Sequence, residues 1–482
     1  MCTVTNWHIK AYLCGIMKLT IWGAARQVTG SMHLLQLPGG YNLLVDCGLD
    51  YEQQKHFGSL GEVEFPFEPS LIDAVILTHA HIDHSGNLPT LVKQGFAGQI
   101  LCTPATAEIT GLLLADSLNI MESEKQKRTG RNKKKSQVKT PYTFKHLKET
   151  VSGMVTVELG RSFKISPEAE ITFFNSGHIL GAASVMVNVN AGGKQTRIGF
   201  TGDLGNYNSA LVMDPQPMPG LDYLVTESTY GGRRHIAQRS PGEELLHFVN
   251  LACVEYPGRL VIPAFSVGRT HAIAYTLHQL YRQGKLPDIK IFVDSPLAIK
   301  TARYHHKHVN TLNAEAQQFF TQYRDLFEFD RLEFMEDAKD SDTIKYAHNP
   351  CVIISAAGMV EGGRIQQHIR DNISNPKAHI LIAGFCAEGT LGHRLLQGQP
   401  TISIKNKDLP VYAPIHKTDA FSAHPDNEGL IRYIKDTTHS ALKKIFLVHA
   451  EEASMMALKK NLADQNITNV ETPFKGQSFE IN

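Results

Sequence analysis

LTHAHIDHSGNLP, residues Leu77 to Pro89, places three histidines and an aspartate within the six positions from His79 to His84. It continues directly from the apolar run Ala74-Val75-Ile76-Leu77, so the polar cluster begins where a buried strand would end. Histidine makes up 23 of 482 residues, and at that frequency H-x-H-x-D-H arises by chance in roughly one such chain in several hundred. Imidazole nitrogen and carboxylate oxygen together suit zinc, with manganese or iron also compatible. His79 and His81 can face one ion from a single turn, while Asp83 and His84 aim at a neighbouring point. The stretch therefore reads as half of a two-metal site, in preference to a capping aspartate among surface histidines.

Working outward, short apolar runs recur along the chain: NLLVDCG, AVILTHAH, ITFFNSGH, IGFTGD, YLVTES, RLVIPA, KIFVDS, CVIISAAG, HILIAG and KIFLVH. Four to six apolar, β-branched-rich residues in a row predict strands buried on both faces. Helical patterns such as GRTHAIAYTLHQLYRQGK, ending at Gly284, lie between many of them. The class is α/β, in layers. Residues with metal-binding chemistry fall just past several of these runs, where loops on a sheet edge converge. His178 lies between glycines in NSGHILG, and Asp203 in FTGDLG has two oxygens with which to bridge two ions. His449 ends KIFLVH, and Asp46 in LLVDCG is better placed to orient a ligand histidine than to be a ligand.

At 482 residues the chain exceeds one comfortable core, which predicts two domains. A net charge of +1 excludes a global field that would announce a polyanionic partner. No apolar stretch is long enough to predict a membrane span, and the first sixteen residues lack the pattern of a cleaved leader. Residues 1–16 read as an extension without function, ahead of the strand-like MKLTIWG. Seven scattered cysteines with no C-x-x-C spacing predict buried reduced thiols and a cytoplasmic location. The basic stretch within 125–139 reads equally as a solvated segment or an RNA-phosphate contact. RYHHKHVN, with His305, His306 and His308, reads as a solvated helix face, not a second metal site. The expected division is 1–16 extension, 17–207 first part of the metal domain, 208–400 an inserted α/β domain opening near the Pro-rich MDPQPMPG, and 401–482 the return to the metal domain.

This set of residues, in this order, resembles the metallo-β-lactamase superfamily, and VTESTYGGR, DAFSAHPD and LVHAEE resemble motifs A, B and C of its β-CASP subfamily of nucleic-acid-processing metallohydrolases. PAFSVGRTHAIAYTL, VDSPLA, ISAAGMVEGGR and AGFCAEGTLGHRL are also similar to family stretches. The likeness covers about residues 17 to 482 and is nearest to bacterial and archaeal relatives of the mRNA 3′-end cleavage endonuclease. It implies an αββα sandwich with an inserted α/β β-CASP domain. It implies one zinc held by His79, His81 and His178 and a second held by Asp83, His84 and His449, with Asp203 bridging. A histidine at motif C goes with RNA-cleaving members, so His449 favours RNA over DNA.

The activity this implies is hydrolysis of RNA phosphodiester bonds by a water activated between the two metals, internally, with cleavage from the 5′ end left open. His424 of motif B is the candidate acid for the leaving 3′ oxygen and Glu227 of motif A its orienting partner. Asp83 and Asp203 count with them as catalytic. Arg269 of FSVGRT and the glycines Gly358, Gly362 and Gly363 of SAAGMVEGGR are candidate RNA-phosphate contacts, or else turn glycines and an ion-paired arginine. The expected partner is single-stranded RNA, without a membrane and with a homodimer left open. The rival readings are a thioester or lactone hydrolase of the same superfamily, a DNA-processing nuclease, and a non-catalytic RNA-binding scaffold.

Overall fold

The computed structural model describes residues 17–50, 63–131, 140–235, 239–347, 350–437 and 442–482. Residues 1–16 lie outside that set, as does 132–139 of the basic stretch, whose helix Pro104–Arg131 is described as far as Arg131. Every apolar run named above that was read as a strand is one.

In the first compact unit, six strands follow one another from the start: β1 (Met17–Ile21), β2 (His33–Gln36), β3 (Asn42–Val45), β4 (Ala74–Ile76), β5 (Gln99–Cys102) and β6 (Met154–Thr156). They join the last strand, β22 (Gln477–Ile481), in a sheet ordered β22-β1-β2-β3-β4-β5-β6. Pairing is antiparallel from β22 to β3 and parallel from β3 to β6. The second sheet holds β7 (Ser162–Lys164), β8 (Ala169–Asn175), β9 (Ala183–Ala191), β10 (Lys194–Phe200), β11 (Tyr223–Glu227), β20 (Lys444–Val448) and β21 (Val470–Glu471), ordered β21-β20-β11-β10-β9-β8-β7.

Strand alternation explains why the sheets stack. Leu43 and Val45 of β3 point with Leu19, Val187, Ile198 and Phe446 into one shared core, while Leu44 joins a separate cluster with Leu88 and Leu91 of helix Leu88–Lys93. On the other sheet, Phe446 and Val448 face inward and Ile445 and Leu447 pack outward on Leu430 and Ile434 of helix Asn427–Thr437. A strand apolar on both faces has to be covered twice, and the result is helix, sheet, sheet, helix.

The second unit comprises Asn208–Met213 and His235–Ala423. Its sheet is wholly parallel: β12 (Arg259–Pro263), β13 (Lys290–Asp294), β14 (Leu332–Phe334), β15 (Cys351–Ser355), β16 (Ala378–Ile382) and β19 (Ile415–Lys417), ordered β14-β13-β15-β12-β16-β19. A separate hairpin joins β17 (Thr401–Ile404) to β18 (Lys407–Pro410).

These compact units divide elsewhere than at 208 and 400. Segment Asp214–Arg234 belongs to the first unit, because β11 inserts between β10 and β20. Residues 401–423 belong to the second, because β19 completes its sheet beside β16. Each boundary is drawn by strand pairing.

The solvated reading of RYHHKHVN is corrected. His305 is 1% exposed and its ring stacks on His271 at 4.2 Å, while His306 packs on Phe320 and Phe327. Burial, then the neighbouring His271, pushes the His305 pKa well below its usual value, so a neutral imidazole serves there as a flat, half-apolar ring. The five described cysteines are buried and unpaired with one another. Among the described residues no helix is long and apolar enough to cross a membrane.

Phe446, fully buried between the sheets three residues before His449, gives a test of this packing. Phe446→Ala is expected to cost about 3–5 kcal/mol in denaturant unfolding, the range for an uncompensated buried aromatic.

Candidate metal centre

Five of the residues singled out above sit just beyond strand ends of the first unit. Asp46 follows β3, His79 follows β4, His178 follows β8, Asp203 follows β10 and His449 follows β20. In each case regular pairing stops and the next residues are free to turn inward. Two do so in the left-handed region, Asp46 at φ 61° and His449 at φ 55°. Aspartate and histidine tolerate that region better than most residues, and the backbone holds them in it. Asp46 N donates to Ile76 O at 2.8 Å and His449 N to Ala24 O at 2.7 Å.

Two glycines allow the loops to cross. A side chain at Gly48 would fall 1.6 Å from Asp83 O, and one at Gly205 would fall 1.8 Å from Gly177 O. The Asp46 turn thus lies against the His79–His84 loop, and the Asp203 loop against the one carrying His178.

The outcome is two groups of donors, each tight enough for one ion. His79, His81, His178 and Asp203 form the first, and Asp83, His84 and His449 the second, with ligand atoms within 4.8 Å of one another in each. Around His81 Nδ1, His79 Nε2 stands at 3.1 Å and His178 Nε2 at 3.2 Å. Asp203 faces both groups. Its Oδ2 is 3.5 Å from both His79 Nε2 and His178 Nε2, and its Oδ1 is 3.2 Å from His84 Nε2 and 3.5 Å from His449 Nε2. His449 Nε2 is also 3.4 Å from Asp83 Oδ2.

The opposite ring nitrogens are tied back. His84 Nδ1 donates to Asp46 Oδ2 at 2.7 Å. Thr78 Oγ1 donates to the same oxygen at 2.8 Å and lies 3.2 Å from His79 Nδ1, while Thr78 N donates to Asp46 Oδ1 at 2.8 Å. Thr229 Oγ1 does the same for His449, 3.2 Å from its Nδ1. Such partners place the proton on Nδ1 and leave the Nε2 lone pair turned into the cluster, as metal binding requires.

Electrostatics agree with a cation at this place. Burial pushes the pKa of Asp203 up, yet His449, His84 and His79 win and hold it well below the usual carboxylate range. Burial lowers His79 well below its usual value and His81 as well. His84 is lowered by burial but raised well above its usual value by Asp203 and Asp46. Buried ionised carboxylates beside imidazole nitrogens are a donor set for a divalent metal, whose binding displaces the proton held by His84.

Beside this set, His424 Nδ1 donates to Glu227 Oε1 at 2.9 Å. Glu227 is fully buried and also accepts from Leu204 N and Thr229 N. The His424 ring lies 4.6 Å from that of His178 and 6.0 Å from that of His449, centroid to centroid.

The candidate RNA contacts lie in the second unit. Arg269 is 6% exposed, donates Nε to Phe421 O at 3.2 Å and stacks over Phe265. Gly358 is buried against Phe265, whereas Gly362 and Gly363 are exposed, with φ of 74° and 68°. Sequence reading overlooked Thr78 and Thr229. Each lies inside a stretch quoted above, Thr78 one residue before His79 and Thr229 two residues after Glu227, and that closeness was the available signal.

Comparison with known proteins follows this geometry. Residues 25–163 match the metallo-beta-lactamase superfamily, 270–395 the Beta-Casp domain, and 408–473 the Zn-dependent metallo-hydrolase RNA specificity domain. The chain is 31% identical over 449 residues to Ribonuclease TTHA0252 of Thermus thermophilus, covering 93% of this chain and 96% of that one. It belongs to the β-CASP family of the metallo-β-lactamase superfamily. This β-CASP protein is a metal-dependent hydrolase. It is also 30% identical over 450 residues to the transcription termination factor FttA of Methanocaldococcus jannaschii, covering 91% of this chain and 68% of that one. A crystal structure of a protein of unknown function from Enterococcus faecalis shares the fold at a TM-score of 0.53 and 13% identity, covering 97% of this chain and all of that one.

Asp46 accepts three hydrogen bonds that aim the ligand loop. Asp46→Asn, which sets an amide against His84, is expected to weaken divalent-metal binding about 10–100-fold, measured by chelator competition.

Proposed function

We propose that this β-CASP protein is a zinc-dependent ribonuclease that hydrolyses phosphodiester bonds in single-stranded RNA. The observation that carries this reading is the sharing of Asp203 between two donor groups, one oxygen toward each. Support for RNA as substrate comes from a relative named as a ribonuclease and from the match of 408–473 to an RNA specificity domain.

In this reading His79, His81 and His178 hold one zinc and Asp83, His84 and His449 the other, with Asp203 common to both and Asp46 orienting His84. Zinc bound there supplies an acidified water and neutralises charge growing on the phosphoryl oxygens. The chain's own residues do the remaining work. Glu227 anchors Nδ1–H of His424 and offsets the charge of the protonated ring. That ring then delivers its other proton to the departing 3′ oxygen as the P–O bond breaks, leaving a 3′-hydroxyl and a 5′-phosphate. Leu204 N and Thr229 N hold Glu227 in place.

The exposed turn at Gly362 and Gly363 is the part of SAAGMVEGGR free to offer backbone N–H groups to RNA phosphates. Arg269, packed on Phe265 and Phe421, serves first to hold its own loop.

On a labelled RNA, His424→Ala is expected to lower kcat by about 10²–10⁴-fold with two zinc equivalents retained. Loss of both metals would make His424 structural. His449→Ala is expected to lose one equivalent by elemental analysis, and retention of two would remove it from the ligand set. Digestion of one RNA labelled separately at each end, with 5′-phosphate and 5′-hydroxyl forms, separates internal from 5′-end cleavage, and a generic thioester is expected to remain uncleaved.

A further inference from the structure

A space of about 10 Å³ adjoins the donor set of the first unit. Ser31, His33, Asp46, His84, Asp203 and His449 line it, together with Thr201, Gly202 and the apolar ends of β3, β10, β11 and β20. Two buried atoms of its lining residues meet no hydrogen-bond partner of acceptable geometry, His33 Nδ1 and Asp203 Oδ1. His33 opens β2, opposite Val45, and is 5% exposed, its ring stacked on Phe200 at 6.4 Å.

A leucine at that point would fill the sheet interior without stranding a polar atom, so an imidazole there calls for a reason. The space matches one water by the same measure, and a buried water needs two to four polar partners, which these walls supply. A neutral imidazole carries one protonated nitrogen and one acceptor nitrogen, so Nδ1 can serve as the donor toward this space.

We infer that the cavity holds one ordered water joining His33 Nδ1 to the Asp203 carboxylate, and that His33 is thereby a positioning residue for the carboxylate shared by both donor groups. His33 Nδ1–H donates to the water, and the water donates to Asp203 Oδ1. A carboxylate oxygen accepts in two directions, so one direction receives the water while the other stays turned to the donor group of His84 and His449. The water fixes the rotation of the carboxylate from behind, as Asp46 fixes the His84 ring. This inference rests on the proposed reading of Asp203 as a ligand common to two ions.

The test uses full-length metal-free protein titrated with zinc against a chelating competitor, with thermal unfolding of the metal-free forms alongside. Wild type is compared with His33→Leu, which keeps the bulk and removes the donor, and His33→Asn, whose amide restores a donor near Nδ1. In His33→Leu the metal-free protein should unfold at or above the wild-type temperature, while one of its two zinc equivalents binds about 10–100-fold more weakly. His33→Asn should recover most of that affinity.

Wild-type affinity for both equivalents in His33→Leu overturns the inference and leaves the two-metal reading standing. Equal loss in His33→Asn and His33→Leu, with lowered unfolding temperatures, overturns it in favour of packing. Fewer than two equivalents in wild type overturns the two-metal reading and this inference with it.

Discussion

Asp203 is a carboxylate, 2% exposed, surrounded by imidazoles on two sides. Burying a charge among partners is costly unless every lone pair is answered. The architecture of the first unit can be understood as the means of answering this one. Four histidine nitrogens lie within 3.2–3.5 Å of its two oxygens, carried by the His79–His84 loop after β4 and by the loops after β8 and β20. Displacing β4, β8 or β20 would displace at least one of them.

That dependence explains why the strained and crowded positions are where they are. Asp46 and His449 adopt left-handed backbone at the ends of neighbouring sheets, and Gly48 and Gly205 permit loop contacts closer than any side chain allows. A rigid two-sheet core, apolar on both faces of its central strands, holds such positions against their tendency to relax. Around the ligands runs a ring of hydroxyls and carboxylates, Thr78, Asp46 and Thr229, that sets imidazole tautomers. The Glu227–His424 pair is built by the same logic, with a buried acceptor anchoring one nitrogen of a less buried ring.

Much of this was legible along the chain. H-x-H-x-D-H is dense enough to announce metal chemistry alone, and Asp46, His178, Asp203 and His449 each end an apolar run with a residue of ligand type. Such a run is local information, since a strand buried on both faces must be apolar at consecutive positions. The limits of the inserted unit were not legible. β11 and β19 are ordinary strands in sequence, and only their pairing partners assign them to one sheet or the other. His305 was misjudged for a related reason, because a histidine on a helix gives no local sign of whether its face meets water or the ring of His271.

The sequence by itself determined the α/β class and the placing of histidines and aspartates with metal-binding chemistry at strand ends, because each depends on chemistry within a few residues. Only the tertiary structure decided that Asp203 turns one oxygen to each donor group, that Thr78 and Thr229 back the rings of His79 and His449, and that His33 lines one space with the carboxylate. Those are relations between atoms tens to hundreds of residues apart. Two folded sheets bring them within hydrogen-bonding range, and no pattern along one strand encodes that distance.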